Sequence, residues 1–294
     1  MSRLKSERHH WWPECVSSFW KDADGCVNWL DPTGLVRRAP PKNFGVIGNG
    51  HHIKLGRNPN ESTAWDQSFE PVFQNADSNF PSVIAWLDSL ERELKPATSA
   101  VTERLIVQES PDKMIEKLVQ GIVSLAVRSP MNREAAVSVA ESLRGPINEP
   151  ERSTLIGMNM RDSFDRAVKS IGTSGKFVIM YSVSREFIFG DGFYHNIVTP
   201  AAAPSSPKIL VALTPNISVL YARPTQYSVN PKLRTLSLHP CETTCLNDSV
   251  QTYAKTALYY RSQKPEITED FREAKHLKYN FLQNPIDAFI AQIS

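Results

Sequence analysis

The apolar residues of this chain change their period at Gly172, and that switch constrains the fold more than any other feature. Upstream, "SPDKMIEKLVQGIVSLAVRSP" spaces Ile115, Leu118, Ile122 and Leu125 three and four apart, and "MNMRDSFDRAVKSIG" repeats the pattern with Met160, Phe164, Ala167, Val168 and Ile171. Each is the signature of one buried helix face. Downstream, "KFVIMYSV", "EFIFG", "KILVALT" and "ISVLYA" are short β-branched and aromatic runs bounded by Gly, Pro and Asn, which reads as strands. Helical and strand segments are grouped rather than alternating. The expected class is therefore α+β, an N-terminal hairpin and helices packed with a mostly antiparallel sheet, and not a doubly wound parallel sheet.

Local signals fill in the rest. "GCVNWLDPTGLVRRAP" predicts a hairpin turning at Asp31-Pro32-Thr33-Gly34, where proline presets φ and glycine accepts positive φ. From Pro40 to Asp77, including "GNGHHIKLGRNPNES", no period is sustained and an irregular excursion is expected. "SNFPSVIAWLDSLERELKP" predicts a helix through Val83, Ile84, Leu87, Leu90 and Leu94 that ends at Pro96. Ser110 and Pro111 suit the start of the next helix, and "NREAAVSVAESLRGP" its hairpin partner. Gly145, Pro146 and Pro150 put a soft boundary near residues 145–157 of a chain read as a single domain over 1–294. In "LNDSVQTYAKTALYYRS", Asn247 is expected to cap a helix carrying Val250, Tyr253, Ala254, Ala257 and Leu258 on one face, with two smaller helices after it.

Composition sets limits on function. With 41% hydrophobic and 22% charged residues, the chain can bury an ordinary core. Its 33 basic and 31 acidic residues leave a net charge of +2, so any contact with a polyanion must be local. No run approaches the roughly 18 apolar residues of a membrane span, and "MSRLKSER" leads into no secretory core, so a cytoplasmic protein without a membrane partner is expected. Cys15, Cys26, Cys241 and Cys245 are expected as thiols.

Histidine doublets are the first chemical resource. His9 or His10 with His51 or His52, joined by Asp191 and His195 from "FGDGFYHN", would make a mixed nitrogen and oxygen shell. The spacing matches no ligand signature, so no metal and no cofactor is assigned. Cys241 and Cys245 beside His239 lack the second pair of a zinc ribbon, and no nucleophile elbow is present. "GVIGNG" lacks both the lysine and the helix of a phosphate loop. Trp11, Trp12, Trp20 and Trp29, interleaved with Arg3, Lys5, Arg8 and Lys21, could stack nucleobases; core anchoring is the commoner use of such a cluster.

Motif order adds a resemblance. "RHHWWPECVSSFW", "GCVNWLD" and "RAPPKNFGV", then "LAVRSPMNR", "REFIFGDGFYHN" and "CLNDSVQTYAKTALYYRS", follow one another as in an uncharacterised, mainly bacterial family known as domain of unknown function four-two-three-eight. The chain resembles that family over nearly its whole length, from a His-x-x-Pro box through an Arg-x-Pro helix end and an aspartate box to a Leu-Asn helix. It departs where Asp191-Gly192-Phe193 lacks the proline of the aspartate box, and where Trp20 rather than Phe19 takes an aromatic position.

The resemblance places His10, Pro13, Arg128, Asp191 and Asn247 at the family's polar signature positions. Some members are associated with antiviral defence, and no reaction or cofactor comes with the family. If the polar residues converge, His10 is a general acid or base, Arg128 neutralises phosphate and Asp191 orients the histidine or binds a metal, with Asn247 and His9 as binding groups. The partner would then be nucleic acid, a nucleotide or a phage component. They could equally be links within the fold: Asn247 a cap, Arg128 paired with Asp191, and His10 bound to a carbonyl. A non-enzymatic sensor and a zinc-dependent hydrolase remain alternatives, so whether the chain is an enzyme stays open.

Overall fold

The computed structural model describes residues 8–48, 50–53, 66–197, 206–223, 232–273, 286 and 289–290. The N-terminal part holds β1 (Arg8–His10), α1 (Glu14–Ser17), β2 (Val27–Leu30), β3 (Val36–Ala39), β4 (Val46–Gly48), β5 (His52–Ile53) and β6 (Gln67–Ser68). β2 and β3 form the expected hairpin, with Leu30 opposite Val36. Its turn closes through Gly34 N–H to Asp31 O at 2.9 Å, Gly34 has φ +84°, and Asp31 Oδ1 accepts the Thr33 and Leu35 amides. The stretch expected to be irregular instead supplies β4, which pairs with β1, and β5, which pairs with β6. Residues 54–65 of it lie outside the described residues. Strands this short carry no period of their own, and their partners fix them.

Next come α2 (Glu70–Asp88), α3 (Val101–Arg104), β7 (Ile106–Gln108), α4 (Asp112–Arg128), α5 (Pro130–Arg144) and α6 (Glu149–Ile171). α2 starts before the expected helix and stops at Asp88 rather than Pro96. Beyond it, the Glu91 amide donates to Gln108 Oε1, and Glu91 O accepts from Gln108 Nε2 and Thr235 Oγ1, so the sheet edge takes backbone groups a helix would need. Phe73, Ala76, Phe80, Val83, Ile84 and Leu87 are the buried stripe of α2. Gly121 lets α4 come close, since a Cβ there would lie 2.9 Å from the Phe80 ring. α4 begins after Pro111 without a Ser110 cap, and Ser129 alone joins it to α5. The soft boundary expected at 145–157 falls mostly inside α6. Pro150 sits in its first turn, where a missing N–H loses nothing, and Asn148 Oδ1 caps it by accepting from Glu151 N at 3.0 Å.

The rest comprises β8 (Lys176–Ser182), β9 (Phe189–Gly190), β10 (Lys208–Thr214), β11 (Ile217–Ala222), β12 (Leu233–Leu238), α7 (Pro240–Tyr253), β13 (Leu258–Tyr260) and α8 (Glu269–Arg272). The main sheet has the order β10-β11-β8-β12-β7; β12 and β8 are parallel and the other pairs antiparallel. Every residue of β8 is buried, as a strand covered on both faces requires. The fold is thus α+β with mostly antiparallel sheets. A second sheet runs β3-β2-β13-β9. It corrects the expected closing helix: α7 starts at Pro240, and Leu258 to Tyr260 leave it to pair with Leu30 and Gly190. Only α8 of the two smaller helices is described throughout; helical residues at 286 and 289–290 stand among undescribed ones.

Trp11, Trp12 and Trp20 are buried in an aromatic core that binds the second sheet to the rest. The Trp12 ring stacks on Phe189 at 4.3 Å, and Trp20 Nε1 donates to Leu213 O at 3.2 Å. Burial of each indole removes ~200 Å² from water, worth up to about 5 kcal/mol before entropy is counted. Among the described residues no helix is long and apolar enough to cross a membrane.

Candidate functional site

Strand alternation splits the first histidine doublet. In the β1–β4 pair, His9 lies opposite Ile47 and His10 opposite Val46, so the two rings take opposite faces: His9 is buried and His10 is half-buried. After β4 the chain turns through Gly50 into His51 and β5. β6 then brings it back, with Phe69 N–H donating to His51 O at 3.1 Å, so that Glu70 opens α2 beside His51.

These three segments converge. His51 N–H donates to His9 Nδ1 at 3.1 Å, His51 Nδ1 donates to Glu70 Oε2, and His9 Nε2 lies 3.8 Å from that same oxygen. The His9 and His51 rings stack at 4.6 Å, and His52 meets His9 edge-on at 4.9 Å. Phe69 and Phe73 wall the His51 ring. Among the described residues no hydrogen bond reaches His51 Nε2. Glu70, 35% exposed, connects the cluster to solvent.

Electrostatics fix the charge states. Burial, reinforced by the Arg128 and His9 charges, pushes the His51 imidazole down to about 4 against the opposing pull of Glu70. Burial alone would raise Glu70, but the His51 hydrogen bond and the surrounding positive groups hold its carboxyl below the usual range. At neutral pH the pair is a neutral imidazole and a carboxylate. His9, His51 and Glu70 each offer one donor atom, all within 4.8 Å of one another, and they are the only such group of three found among the described residues.

The residues singled out by sequence are placed differently. Arg128 is 1% exposed and held bidentately by Asp77 at 3.0 and 2.6 Å, with further bonds to the carbonyls of His10 and Ser124. Its guanidinium covers the Phe73 ring at 4.8 Å, behind His51. Its partner is therefore Asp77, not Asp191. Asp191 is buried at the turn after α7, where Oδ1 accepts the Lys255 amide and Oδ2 the Thr256 amide and hydroxyl; burial raises its carboxyl. Asn247 lies within α7 rather than at its start, and pairs with Ile188 N and Glu186 O like an added strand residue. It lines a polar cleft of about 270 Å³ that contains none of His10, Arg128 or Asp191.

Of the mixed shell considered from sequence, His9 and His51 come together, and the carboxylate beside them is Glu70. His195 is fully buried against Phe193 and bridges to Ile209. Cys241 and Cys245 are exposed thiols, while Cys15 donates to Asp77 O. Glu70 was missed because a single glutamate before a proline looks like any helix start; the adjacent doublets were the only available signal.

From α5, Arg133 Nη1 donates to Gly50 O at 3.2 Å, just before His51. No family model, no curated protein and no solved structure matches this chain.

Proposed function

We propose that this chain is a metal-dependent hydrolase of phosphate esters, acting on nucleic acid or nucleotides in the cytoplasm as part of antiviral defence, with His9, His51 and Glu70 as the metal ligands. The observation that carries the chemistry is the convergence of their three donor atoms within 4.8 Å. Two imidazoles and one carboxylate suit zinc or a comparable divalent transition ion and leave coordination positions open. Such an ion supplies a nucleophilic water at neutral pH and neutralises charge on a phosphoryl oxygen. His51 is already neutral and Glu70 already ionised, so neither must shed a proton to bind.

A second reading has its own observation. Because His9 Nδ1 accepts the His51 amide, the ring proton of neutral His9 sits on Nε2, and His51 oriented by Glu70 would act as a general base without a metal. Magnitudes favour the metal. A base held near 4 accepts a proton at pH 7 about 4 kcal/mol less readily than one poised at 7. Turning the His9 ring forfeits one neutral hydrogen bond, about 1 kcal/mol, against the 10 kcal/mol or more typical of a bound zinc ion.

The defence role rests on the resemblance of the His-x-x-Pro, Arg-x-Pro and aspartate segments to family four-two-three-eight, and membership of that family is part of the proposal; the cytoplasmic setting is the expectation drawn from composition. In this reading Arg128, Asp191 and Asn247 hold the fold and His10 supplies a strand carbonyl. Zinc titration of chelator-stripped full-length protein tests the site: one ion per chain is expected, with affinity reduced at least tenfold in Glu70→Gln and His51→Ala. Wild-type protein that takes up no zinc, manganese or iron(II) removes the metal reading. Phage plating on cells carrying wild type or Glu70→Gln tests the role. Full protection by a folded Glu70→Gln protein that has lost metal would instead favour a sensor that binds a phage component.

A further inference from the structure

We infer that α6 is a positioning element of the histidine–glutamate centre and that Gly157 sets its approach, an inference resting on the reading of His9, His51 and Glu70 as metal ligands. Glycine weakens the interior of a helix, and α6 holds Gly157 well inside its 23 residues with ordinary helical backbone. What the residue supplies is therefore space. A Cβ there would lie 3.1 Å from His52 O, 3.1 Å from Ile53 Cγ1 and 3.3 Å from the Phe69 ring. These distances are tighter than the roughly 3.5–4.0 Å of an ordinary carbon contact, and a backbone carbonyl cannot swing aside as a side-chain tip can.

Those three residues belong to the clip that carries His51. His52 and Ile53 pair with Ser68 and Gln67, Phe69 N–H donates to His51 O at 3.1 Å, and the Phe69 ring lies 5.5 Å from the His51 ring. Seven residues along, on the same helix face, Phe164 meets Phe73 edge-on at 5.3 Å, and Phe73 in turn lies 4.9 Å from His51. α6 thus backs His51 at two points, one through the clip and one through Phe73. His9 stands on β1 and Glu70 at the head of α2, so pressure at position 157 moves His51 against both of the other ligands. Donor atoms within 4.8 Å of one another tolerate little of that, because a ligand set must stay within about 0.5 Å of its productive geometry.

Two crowded glycines make the test. Gly121 of α4 has its Cβ position 2.9 Å from the ring of Phe80, which is no part of the centre. Zinc titration and the cobalt(II) absorption spectrum are measured on full-length wild type, Gly157→Ala, Gly157→Val and Gly121→Ala, with urea unfolding of each metal-free protein. Gly157→Ala should weaken zinc on the order of tenfold and alter the cobalt spectrum, and Gly157→Val should do more, while Gly121→Ala loses stability and keeps wild-type affinity. Unchanged zinc affinity and cobalt spectrum in Gly157→Ala overturn the inference, as does an equal loss of affinity in Gly121→Ala. If Gly157→Ala does not fold, Phe164→Leu takes its place: severalfold weaker zinc is expected, and unchanged affinity is the overturning result. Wild type that takes up no metal sinks the metal reading alone. Positioning is then read by NMR titration of the metal-free protein, where His51 should take up its proton at lower pH in Gly157→Ala because a displaced Glu70 pulls it up less. An unmoved His51 titration there overturns the inference as well.

Discussion

Cys15 Sγ donates to the backbone carbonyl of Asp77 at 3.3 Å, and the reason lies four residues further along α2, at Pro81. Proline has no N–H, so the intrahelical bond from residue 81 to Asp77 O cannot form. The thiol of α1 supplies the missing donor across two elements. The same residue's carboxylate holds Arg128, so the gap in α2 lies where the helix meets both the N-terminal segment and α4.

This pairing predicts a conditional effect. Cys15→Ala should lower stability by about 1 kcal/mol in urea unfolding, and Cys15→Ser much less. In a Pro81→Ala background, where the amide can serve Asp77 O, the Cys15→Ala effect should shrink. An unchanged effect there means the thiol matters only through packing. Burial, and next to it Asp77, pushes the Cys15 thiol up to about 11, so iodoacetamide should label Cys241 and Cys245 well before it.

Removing one partner of the Arg128–Asp77 pair strands a buried charge. Asp77→Asn or Arg128→Met should therefore cost about 3 to 5 kcal/mol, far more than a surface ion pair. The double change should recover part of the loss. If Arg128→Met stays folded, loss of its charge should let the His51 imidazole rise from about 4, visible in an NMR titration.

Acid should destabilise the metal-free protein over a defined window. Above pH 6.5 His51 is neutral whether folded or not, and its contribution is flat. Between 6.5 and about 4 the unfolded chain takes up a proton that the native ring refuses, so stability falls as pH falls, by at most about 3 kcal/mol from this group. His195, pushed down by burial to about 3, acts in the same direction. Glu70, lowered in the fold, adds a loss below its ordinary value of 4.5. Urea midpoints from pH 8 to 4 should fall less steeply in His51→Gln; parallel curves would mean that His51 titrates normally.

Trp12 distinguishes core from platform. Its stacking on Phe189 and 1% exposure predict a loss of about 3 to 5 kcal/mol in Trp12→Ala. A stable Trp12→Ala protein with reduced affinity for single-stranded nucleic acid would contradict the core assignment.

Much of the fold was legible because the relevant signal is local. The Asp31–Gly34 turn, the helix ending at Arg128, the stop of α6 before Gly172 and the strands β8, β10 and β11 depend on residues within a few positions of one another. Errors cluster where the deciding partner is distant. Leu258 to Tyr260 continue a helical spacing, yet pairing with β2 and β9 makes them a strand. Asn247 looks like a cap because it precedes an apolar run, yet Glu186 and Ile188 claim its amide.

The candidate site divides along the same line. By itself the sequence determined that two histidine doublets exist, that the chain has no overall field for a polyanion, and that its apolar pattern builds helices and a mostly antiparallel sheet. Only the tertiary structure decided that His9 rather than His10 faces inward, that both His51 and His52 are buried against it, that Glu70 is the carboxylate His9 and His51 meet, and that Arg128 is committed to Asp77. Strand alternation sends neighbouring side chains to opposite faces, and convergence of groups far apart in the chain is set by packing, for which one sequence carries no local period.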